Sequence, residues 1–425
     1  MTARHDALVQ QESAPPSNAL WRNRDYVGWW VGETVSGFGT ALSAFAYPLL
    51  IVTATGSAAS AGIVGSTVSI GALTTMLVGG SLADRRSRRM LLLAGSLLQA
   101  VAVGSVCWAV AFDHVNVAYV AAIGLFQGFV GGLTSGASRP ALRRIVPPEQ
   151  LPTAFSQMQG RDMAVRLAAP PTGGFLFSLA RWVPFLGDAV SFLVSALGVL
   201  LIRQPLGPDV REARRESVVA SIRTGLAYVR RDAYLRFLTI YTATFNAAVA
   251  GMFLLVIVLV RGHGGGPMLV GWVNSIGAVG GLAGAVFAGR VTRRFHGRAI
   301  VVLLSWVTVV VFAAIGVVPL PWLIGVLVAV LLFLVSPINV IFATYETRMI
   351  PDELMGRVSS AIDFGASSLR WLGPLSAGIL SSAFGPTTAM LLLTAMVALV
   401  AVGTQVARGL RVLDVPIGDV RPGSV

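Results

Sequence analysis

The sequence predicts an all-α integral membrane protein, with about twelve transmembrane helices in two pseudo-symmetric six-helix bundles. Of its 425 residues, 55% are hydrophobic and 12% are charged, and the mean hydropathy is +0.75. A soluble protein carries about twice that share of charge. Apolar runs long enough to cross a bilayer recur along the whole chain, and its two halves match each other at nearly constant offsets.

Twelve segments are apolar and long enough to span a bilayer as helices. They lie at 27–52, 60–82, 90–111, 117–138, 154–180 and 185–203, and then at 237–260, 269–289, 299–319, 322–345, 358–382 and 387–406. The predicted domains are a tail at 1–25, a bundle at 26–203, a linker at 204–236, a bundle at 237–406 and a tail at 407–425.

The linker carries an apolar stripe at helical spacing, formed by Ile222, Leu226 and Val229 and flanked by arginines. This pattern predicts an amphipathic helix that lies against the inner leaflet. A solvated linker helix without a special role is the alternative interpretation.

The basic residues predict the topology. All 32 are arginine, and assigning the loops alternately to two sides puts 27 on one side and two, Arg181 and Arg261, on the other. Arginine concentrates on the cytoplasmic side of membrane proteins, so we expect both termini in the cytoplasm and the chain in a bacterial inner membrane. A nucleic-acid partner is disfavoured, because no polar domain exists to carry a basic binding face.

Several kinds of chemistry are disfavoured. Without lysine, the chain has neither a lysine-containing phosphate loop nor a Schiff-base lysine. The four histidines are scattered, so we expect neither a metal nor a cofactor. No nucleophile–base pair is evident, and we therefore expect a protein that is not an enzyme.

Nine conspicuous positions of the first half recur in the second. Gly62, Gly71, Gly80, Arg85 and Arg89 reappear 209 residues later as Gly271, Gly280, Gly289, Arg294 and Arg298. Arg144, Arg166, Pro170 and Gly174 reappear 204 residues later as Arg348, Arg370, Pro374 and Gly378. Duplicated halves that rock about a site near the bilayer midplane are a common transporter design. The repeat therefore favours transport of a small molecule.

The loop after the second span, residues 80–89, reads G-S-L-A-D-R-R-S-R-R. It resembles the signature of the major facilitator superfamily, G-x-L-a-D-r-x-G-R-r, with Ser87 in place of a glycine. The resemblance implies a conformational latch made of Gly80, Asp84, Arg85 and Arg88, which would hold helix 2 to the start of helix 11. Alternatively, these arginines only fix the topology.

Three further stretches narrow the resemblance. Residues 139–151 read R-P-A-L-R-R-I-V-P-P-E-Q-L, residues 225–231 read G-L-A-Y-V-R-R, and residues 350–358 read I-P-D-E-L-M-G-R-V. Together they are similar to the enterobactin-exporter and macrolide-efflux branch of the superfamily, which includes drug:proton antiporters. The resemblance implies export, and it does not specify the substrate.

Residues 169–174 read A-P-P-T-G-G and resemble the antiporter signature G-P-x-x-G-G. Proline removes a backbone donor and glycine allows a close approach, so Pro170, Gly173 and Gly174 predict a bendable helix contact. An ordinary kinked packing helix is the alternative. Gly124 stands where many proton-coupled drug pumps have an arginine, which weakens the case for coupling through helix 4.

Charged residues inside spans are costly and therefore candidates for function. The tally gives three acids, Glu33, Asp162 and Asp363, and three arginines, Arg161, Arg166 and Arg370. Asp162 and Arg166 are four residues apart and can pair on one helix face. One interpretation makes all six charges structural pairs.

The other interpretation assigns these charges to transport. It places Arg166 and Arg370 in the binding cavity, where they suit a substrate with an anionic or catechol-like group. Glu33 then leads the proton-coupling candidates, ahead of Asp162 and Asp363, because burial favours proton uptake by a carboxylate. Neutral polar side chains on other spans either line the cavity as well or form contacts between helices. They are Gln127, Asn246 and Asn339, together with Thr242 and Asn274.

The function predicted from these features is secondary active export of an amphipathic small molecule by alternating access, in exchange for protons. An antibiotic, a siderophore or another secondary metabolite would suit. A proton-coupled importer of a metabolite is the alternative, and a sensor or scaffold that transports nothing is the alternative from another class. We expect a monomer whose partners are the substrate, protons and the lipid bilayer.

Overall fold

The computed structural model describes residues 19–85, 87–207, 218–294 and 297–414. The helices of the first bundle are α1 (Arg24–Thr55), α2 (Ala58–Arg85), α3 (Arg88–Ala111), α4 (Val117–Ile145), α5 (Leu151–Leu179) and α6 (Val183–Leu201). A linker helix (Val218–Arg231) follows. The second bundle contains α7 (Ala233–Gly262), α8 (Pro267–Arg294), α9 (Gly297–Val317), α10 (Pro321–Met349), α11a (Met355–Ser368), α11b (Leu372–Phe384) and α12 (Pro386–Val406).

This architecture confirms the predicted fold class. Each predicted span overlaps one helix, except that the eleventh is divided into α11a and α11b by a turn at residues 369–371. Ten of the helices are long and apolar enough to cross a membrane, and the protein is a multi-pass membrane protein. Helix α5 and the divided eleventh helix are not among those ten. These two helices are partners in the internal repeat, each being the fifth helix of its half.

The two bundles are built alike. In the first, α1 packs on α6, α2 on α4 and α3 on α6; in the second, α7 packs on α12, α8 on α10 and α9 on α12. Glycines allow the closest of these contacts: a side chain at Gly71 would collide with the backbone of α4, and one at Gly280 with the backbone of α10. These two glycines are repeat partners, so the same residue allows the same close helix contact in both bundles.

Another repeat pair caps the ends of helices. Arg89 Nη2 donates to the carbonyl of Leu200 at 2.9 Å, and Arg298 Nη2 donates to that of Gln405 at 3.2 Å. Both acceptors lie in the last turn of a helix, where carbonyls have no partner in the helix and carry the negative end of its dipole. Arg298 also pairs with Asp414 at 3.2 Å. We call the end of the bundles with these arginines the arginine-rich end, and the opposite end the arginine-poor end.

The linker helix packs on the second bundle. Gly225 contacts the backbone of Arg357 on α11a, and the Tyr228 hydroxyl donates to Met349 O at 3.1 Å. This packing buries only part of the predicted apolar stripe. Val229 is 4% exposed, whereas Leu226 is 47% exposed. The side chain of Ile222 lies outside the described residues. Part of the stripe thus serves protein packing, which corrects the expectation that it faces the inner leaflet as a unit.

The bundles meet each other at the arginine-poor end through two contacts related by the repeat. In one, α2 packs on α11b, with Gly62 against the backbone of Pro374 and Gly378. In the other, α5 packs on α8, with Gly271 against the backbone of Pro170 and Gly174 against that of Pro267.

Each contact is secured by a hydrogen bond, and the two bonds are also repeat partners. Ser66 Oγ donates to Trp371 O at 2.7 Å, and Ser275 Oγ donates to Leu167 O at 2.8 Å. Together, these contacts close the path between the bundles at the arginine-poor end.

We expect a side chain at Gly62 to open this closure. In a Gly62→Val variant, the added carbons would meet the Pro374 backbone, and the state closed at the arginine-poor end should lose population. Labelling of an Asn274→Cys reporter in a Cys107→Ser background, by an impermeant maleimide on whole cells, should rise several-fold. Asn274 bonds to a carbonyl of its own helix, so its replacement leaves both closure bonds in place.

Gly104→Val is the matched control, because a Cβ at Gly104 meets only Ala189 Cβ, at 4.0 Å. Equal labelling rates in the Gly62 and Gly104 variants would show that the Gly62 contact does not hold the closure.

Candidate functional site

The candidate site begins with the repeat-related arginines of helices 5 and 11. Arg166 and Arg370 each follow the first residue of their helix, Leu151 or Met355, by 15 positions. At 1.5 Å per residue this is about 22 Å along the helix, near the middle of the membrane. Arg370 lies in the turn that divides α11a from α11b, where the backbone is held by bonds such as Arg370 N to Ser367 O at 3.1 Å.

The two arginines lie in different bundles. Their guanidinium groups are close enough for the positive charges to repel. Both side chains retain exposed surface, although Arg370 is largely surrounded by protein. Each directly precedes a carbonyl, of Leu167 or Trp371, that accepts a hydrogen bond of the closure. The arginines therefore lie at the bundle interface, next to the closure.

The ion pairing differs from the predicted one. Arg161 Nε and Nη2 donate to Asp162 Oδ1 at 3.0 and 2.8 Å, so Asp162 pairs with its chain neighbour and not with Arg166. The predicted i, i+4 pair is absent from the described residues, because Asp162 is bonded to the arginine that precedes it in the chain. Among the described residues, neither Arg166 nor Arg370 forms an ion pair, so the interpretation of six charges as three structural pairs does not hold for these two.

Glu33 joins the pair of Arg161 and Asp162. It lies on α1, accepts a hydrogen bond from Ser138 of α4, and interacts electrostatically with both charges on α5. Arg161 Nη1 is buried without a hydrogen-bond partner in the described part of the chain. Three helices of the first bundle thus converge on one arginine, which is shared by two acids. Asp363, the third predicted acid, is an exposed residue of α11a and lies near Glu346.

Most of the neutral polar residues predicted to line the cavity form hydrogen bonds within the protein. Gln127 Oε1 accepts a bond of 2.5 Å from the Tyr47 hydroxyl, within the first bundle. Asn246 Nδ2 donates to Ala366 O at 3.1 Å and ties α7 to α11a just before its break. Asn339 is exposed on α10. Thr242 and Asn274 bond to carbonyls of their own helices, at Leu238 and Val270.

The residues of the antiporter signature lie at the closure. Helix α5 runs through Pro170, whose carbonyl faces Gly271, while Gly174 contacts the start of α8. Gly173 faces α1 of its own bundle, where an added Cβ would lie 3.0 Å from Phe45 Cδ1. One turn of helix therefore contacts both bundles. A larger residue at Gly174 would press against the second bundle, whereas one at Gly173 would press against α1 of the first.

Most of the predicted latch cannot be placed. The side chains of Gly80, Asp84 and Arg85 lie outside the described residues, as does that of Arg293. Arg88 is described and buried, its amide donates to Leu206 O at 3.0 Å, and its Nε has no partner among the described groups. It therefore packs beneath the segment that leads into the linker.

Asp188 is a further intramembrane acid that was missing from the three predicted from the sequence. This residue of α6 is fully buried, and its Oδ2 has no hydrogen-bond partner in the described part of the molecule. Ser191 Oγ lies 3.4 Å from Oδ1, and Gly39 provides space for both side chains. The signal was present in the sequence, because Asp188 is the only charged residue between Val183 and Leu201.

We expect Asp188→Asn to leave stability within about 1 kcal/mol of the wild type, because a neutral amide of the same shape costs less to bury than an unpaired charge. Asp25→Asn is the contrasting variant. Asp25 accepts bonds from the amides of Arg203 and Gln204, both at 3.0 Å, and weakening them should cost about 1–3 kcal/mol. Thermal unfolding in detergent measures both, and a larger loss for Asp188→Asn would show that the carboxylate charge is required.

No three His, Cys, Asp or Glu side chains in the described part of the chain come together as a metal site. The arrangement offers instead two exposed arginines near the membrane midplane, one from each bundle, next to a closure between the bundles at one end. That is the geometry of a secondary transporter.

Comparisons with known proteins agree with this geometry. The chain is 27% identical over 396 residues to the multidrug efflux pump Tap of Mycolicibacterium fortuitum, covering 89% of this chain and 94% of that protein. Its fold is similar to an inward-facing bacterial homolog of the human lysosomal transporter Spinster, with a TM-score of 0.74, 13% identity, and coverage of 93% and 99%. A bacterial homologue of the iron transporter ferroportin gives a TM-score of 0.70 at 17% identity, with coverage of 91% and 98%. The profile of the Major Facilitator Superfamily matches residues 29–373, and the chain belongs to that family of transporters.

Proposed function

We propose that this transporter exports an amphipathic small molecule by alternating access, in exchange for protons. The observation that carries the proposal is the pair of repeat-related contacts at the arginine-poor end, with the exposed side chains of Arg166 and Arg370 next to them. Because a two-fold relation connects the contacts, a rocking motion of one bundle against the other opens both together. The substrate binds from the arginine-rich side and leaves at the arginine-poor side.

Export as the direction is supported by two features. The relative that matches over most of the chain is named as a multidrug efflux pump. The signature residues Pro170, Gly173 and Gly174 lie at the closure, where a change of helix contact sets access. Positive charge at the arginine-rich end supports a location in a bacterial inner membrane, with that end and both termini on the cytoplasmic side. Antibiotics, siderophores and other secondary metabolites are the substrate class, and a monomer contains the whole pathway.

Glu33 is the acid that we assign to proton exchange. Its neighbours Ser138, Arg161 and Asp162 come from two other helices, so a movement of α1, α4 or α5 changes its surroundings. A carboxylate whose counter-charge moves away can respond by taking up a proton. Asp162 and Asp363 are more exposed, and Asp188 has no charged neighbour to change. Glu33 is therefore best placed to couple a proton to helix movement.

The test is substrate-triggered proton movement in inside-out vesicles with an acidic lumen. Addition of an exported compound from a panel of antibiotics and siderophores should raise the luminal pH. We expect Glu33→Gln to abolish this response while binding of the compound persists. Glu149→Gln is the matched control, because Glu149 is exposed in the loop before α5 and should leave exchange unchanged.

The alternatives give different results in the same vesicles. A response that survives Glu33→Gln would assign the proton to Asp162, Asp363 or Asp188. Solute accumulation driven by an inward proton gradient in right-side-out cells would indicate an importer. A folded protein that moves neither solute nor protons would be a sensor or a scaffold.

The latch of Gly80, Asp84, Arg85 and Arg88 gives a separate prediction. A carboxylate at Asp84 would accept charge-assisted bonds at the arginine-rich end and stabilise the state that is closed there. We expect Asp84→Asn to reduce transport by at least tenfold, which corresponds to about 1.4 kcal/mol, without lowering thermal stability. Initial export rates and unfolding temperatures measured together check this. Undiminished export would show that the motif has a topological role only.

A further inference from the structure

We infer that Arg166 and Arg370 form a two-sided binding site for an anionic group of the transported molecule. The inference rests on the proposed export function and specifies its substrate class. The group is a carboxylate or another compact anion, attached to the apolar body of an amphipathic molecule.

The first argument is charge. The two guanidinium groups come from different bundles and are close enough to repel, and neither has an ion-pair partner within the described residues. The other intramembrane arginine, Arg161, bonds an adjacent carboxylate through two of its nitrogens. The protein thus neutralises one arginine and leaves the other two without an acid. Charged groups near the membrane midplane are costly, so an unneutralised pair requires either solvent or a ligand of opposite charge.

The second argument is position. Each arginine directly precedes a residue, Leu167 or Trp371, whose carbonyl accepts a bond from the opposite bundle. An anion held by both guanidinium groups therefore bridges the bundles next to the closure. Guanidinium is well suited to this role, because its planar donors bind a carboxylate with two parallel hydrogen bonds.

The third argument is the backbone at Arg370. Helix 11 is interrupted at residues 369–371, whereas its repeat partner α5 is continuous across Arg166. Irregular backbone at membrane depth occurs where it lines a cavity, and divided helices form substrate sites in other transporters. The break places Arg370 where no regular helix could hold it, and it makes the two sides of the site unequal. A bound anion has a defined orientation as a result.

The specificity that follows is selection by charge. An anion replaces the mutual repulsion of two cations by attraction to both, whereas a cation of the same size adds a third positive charge. We expect anionic and zwitterionic compounds to bind more tightly than neutral ones of the same shape, and cations to bind least well.

Three dansyl compounds test this with one fluorophore: dansylglycine as the anion, dansylglycinamide as the neutral form and dansylethylenediamine as the cation. Binding to purified protein in nanodiscs is measured by the rise in dansyl fluorescence. We expect dansylglycine to bind at least tenfold more tightly than the amide. Arg166→Gln and Arg370→Gln should each weaken dansylglycine about tenfold, or about 1.4 kcal/mol, and leave the amide unchanged.

Two controls separate charge from structure. Arg166→Lys and Arg370→Lys keep the charge and should retain most of the preference for the anion. Arg181→Gln removes an exposed arginine of the arginine-poor end and should change nothing. Equal affinity of the wild type for anion and amide, no binding of dansylglycine, or full binding by the double glutamine variant would overturn the inference.

Failure of this site and failure of export are distinguishable. Vesicles that export dansylglycinamide or an antibiotic, with no preference for the anion, would preserve the proposed function and reject the site. Tight binding of dansylglycine that depends on both arginines, with no export of any compound, would preserve the site and reject the export function.

Discussion

The arrangement of this transporter depends on backbone contact between its two bundles at paired glycines. Lipid chains are as apolar as leucine, so helices in a membrane gain little from hydrophobic burial and associate through close packing and hydrogen bonds. Gly62 and Gly378 supply that packing on one side of the two-fold axis, and Gly174 and Gly271 supply it on the other. One serine hydroxyl secures each contact. Small residues also form a contact that can separate, because few side chains interdigitate across it.

The charges near the membrane midplane are arranged around this closure. The arginine farther from it, Arg161, pairs with Asp162 of its own bundle and interacts electrostatically with Glu33, while its Nη1 has no hydrogen-bond partner among the described groups. The arginines beside it, Arg166 and Arg370, come from different bundles and lack an acid partner among the described residues. Movement of the bundles relative to each other therefore changes the distance between these two positive charges. The neighbours of Glu33 all lie within the first bundle, so only a movement of helices inside that bundle changes its surroundings.

The backbone is also irregular near the closure. Helix α9 is continuous and apolar, and it packs on α10 and α12 of its own bundle. Prolines lie within helices at the closure and away from it, such as Pro170 of α5 and Pro337 of α10, but the interruption of helix 11 at residues 369–371 lies beside the closure. Irregular backbone at membrane depth is tolerated where protein surrounds it or where it lines a cavity. Structural irregularity, charge and the bundle interface thus coincide.

The internal repeat also explains which residues serve packing and which are free for function. Gly71 and Gly280 allow helix seams, and Arg89 and Arg298 cap helix ends, in equivalent places of the two bundles. The position of Asp188, by contrast, lacks a charged counterpart 204 or 209 residues later, where Leu392 and Val397 stand. Departures from the repeat, such as Asp188 and the break at Arg370, mark where the bundles have taken separate roles.

By itself, the sequence determined the twelve spans, the two-fold repeat, the family and the depth of Arg166 and Arg370. These follow from hydropathy, spacing and residue identity along one segment, which tertiary contacts do not alter. Only the tertiary structure decided which groups meet: that Asp162 pairs with Arg161, that Asn246 holds α7 to α11a, that the serines cross the interface, and that Arg166 lies near Arg370. Such partners come from different helices or from competing neighbours on one helix. Their pairing depends on helix rotation and packing, for which a linear pattern carries no signal.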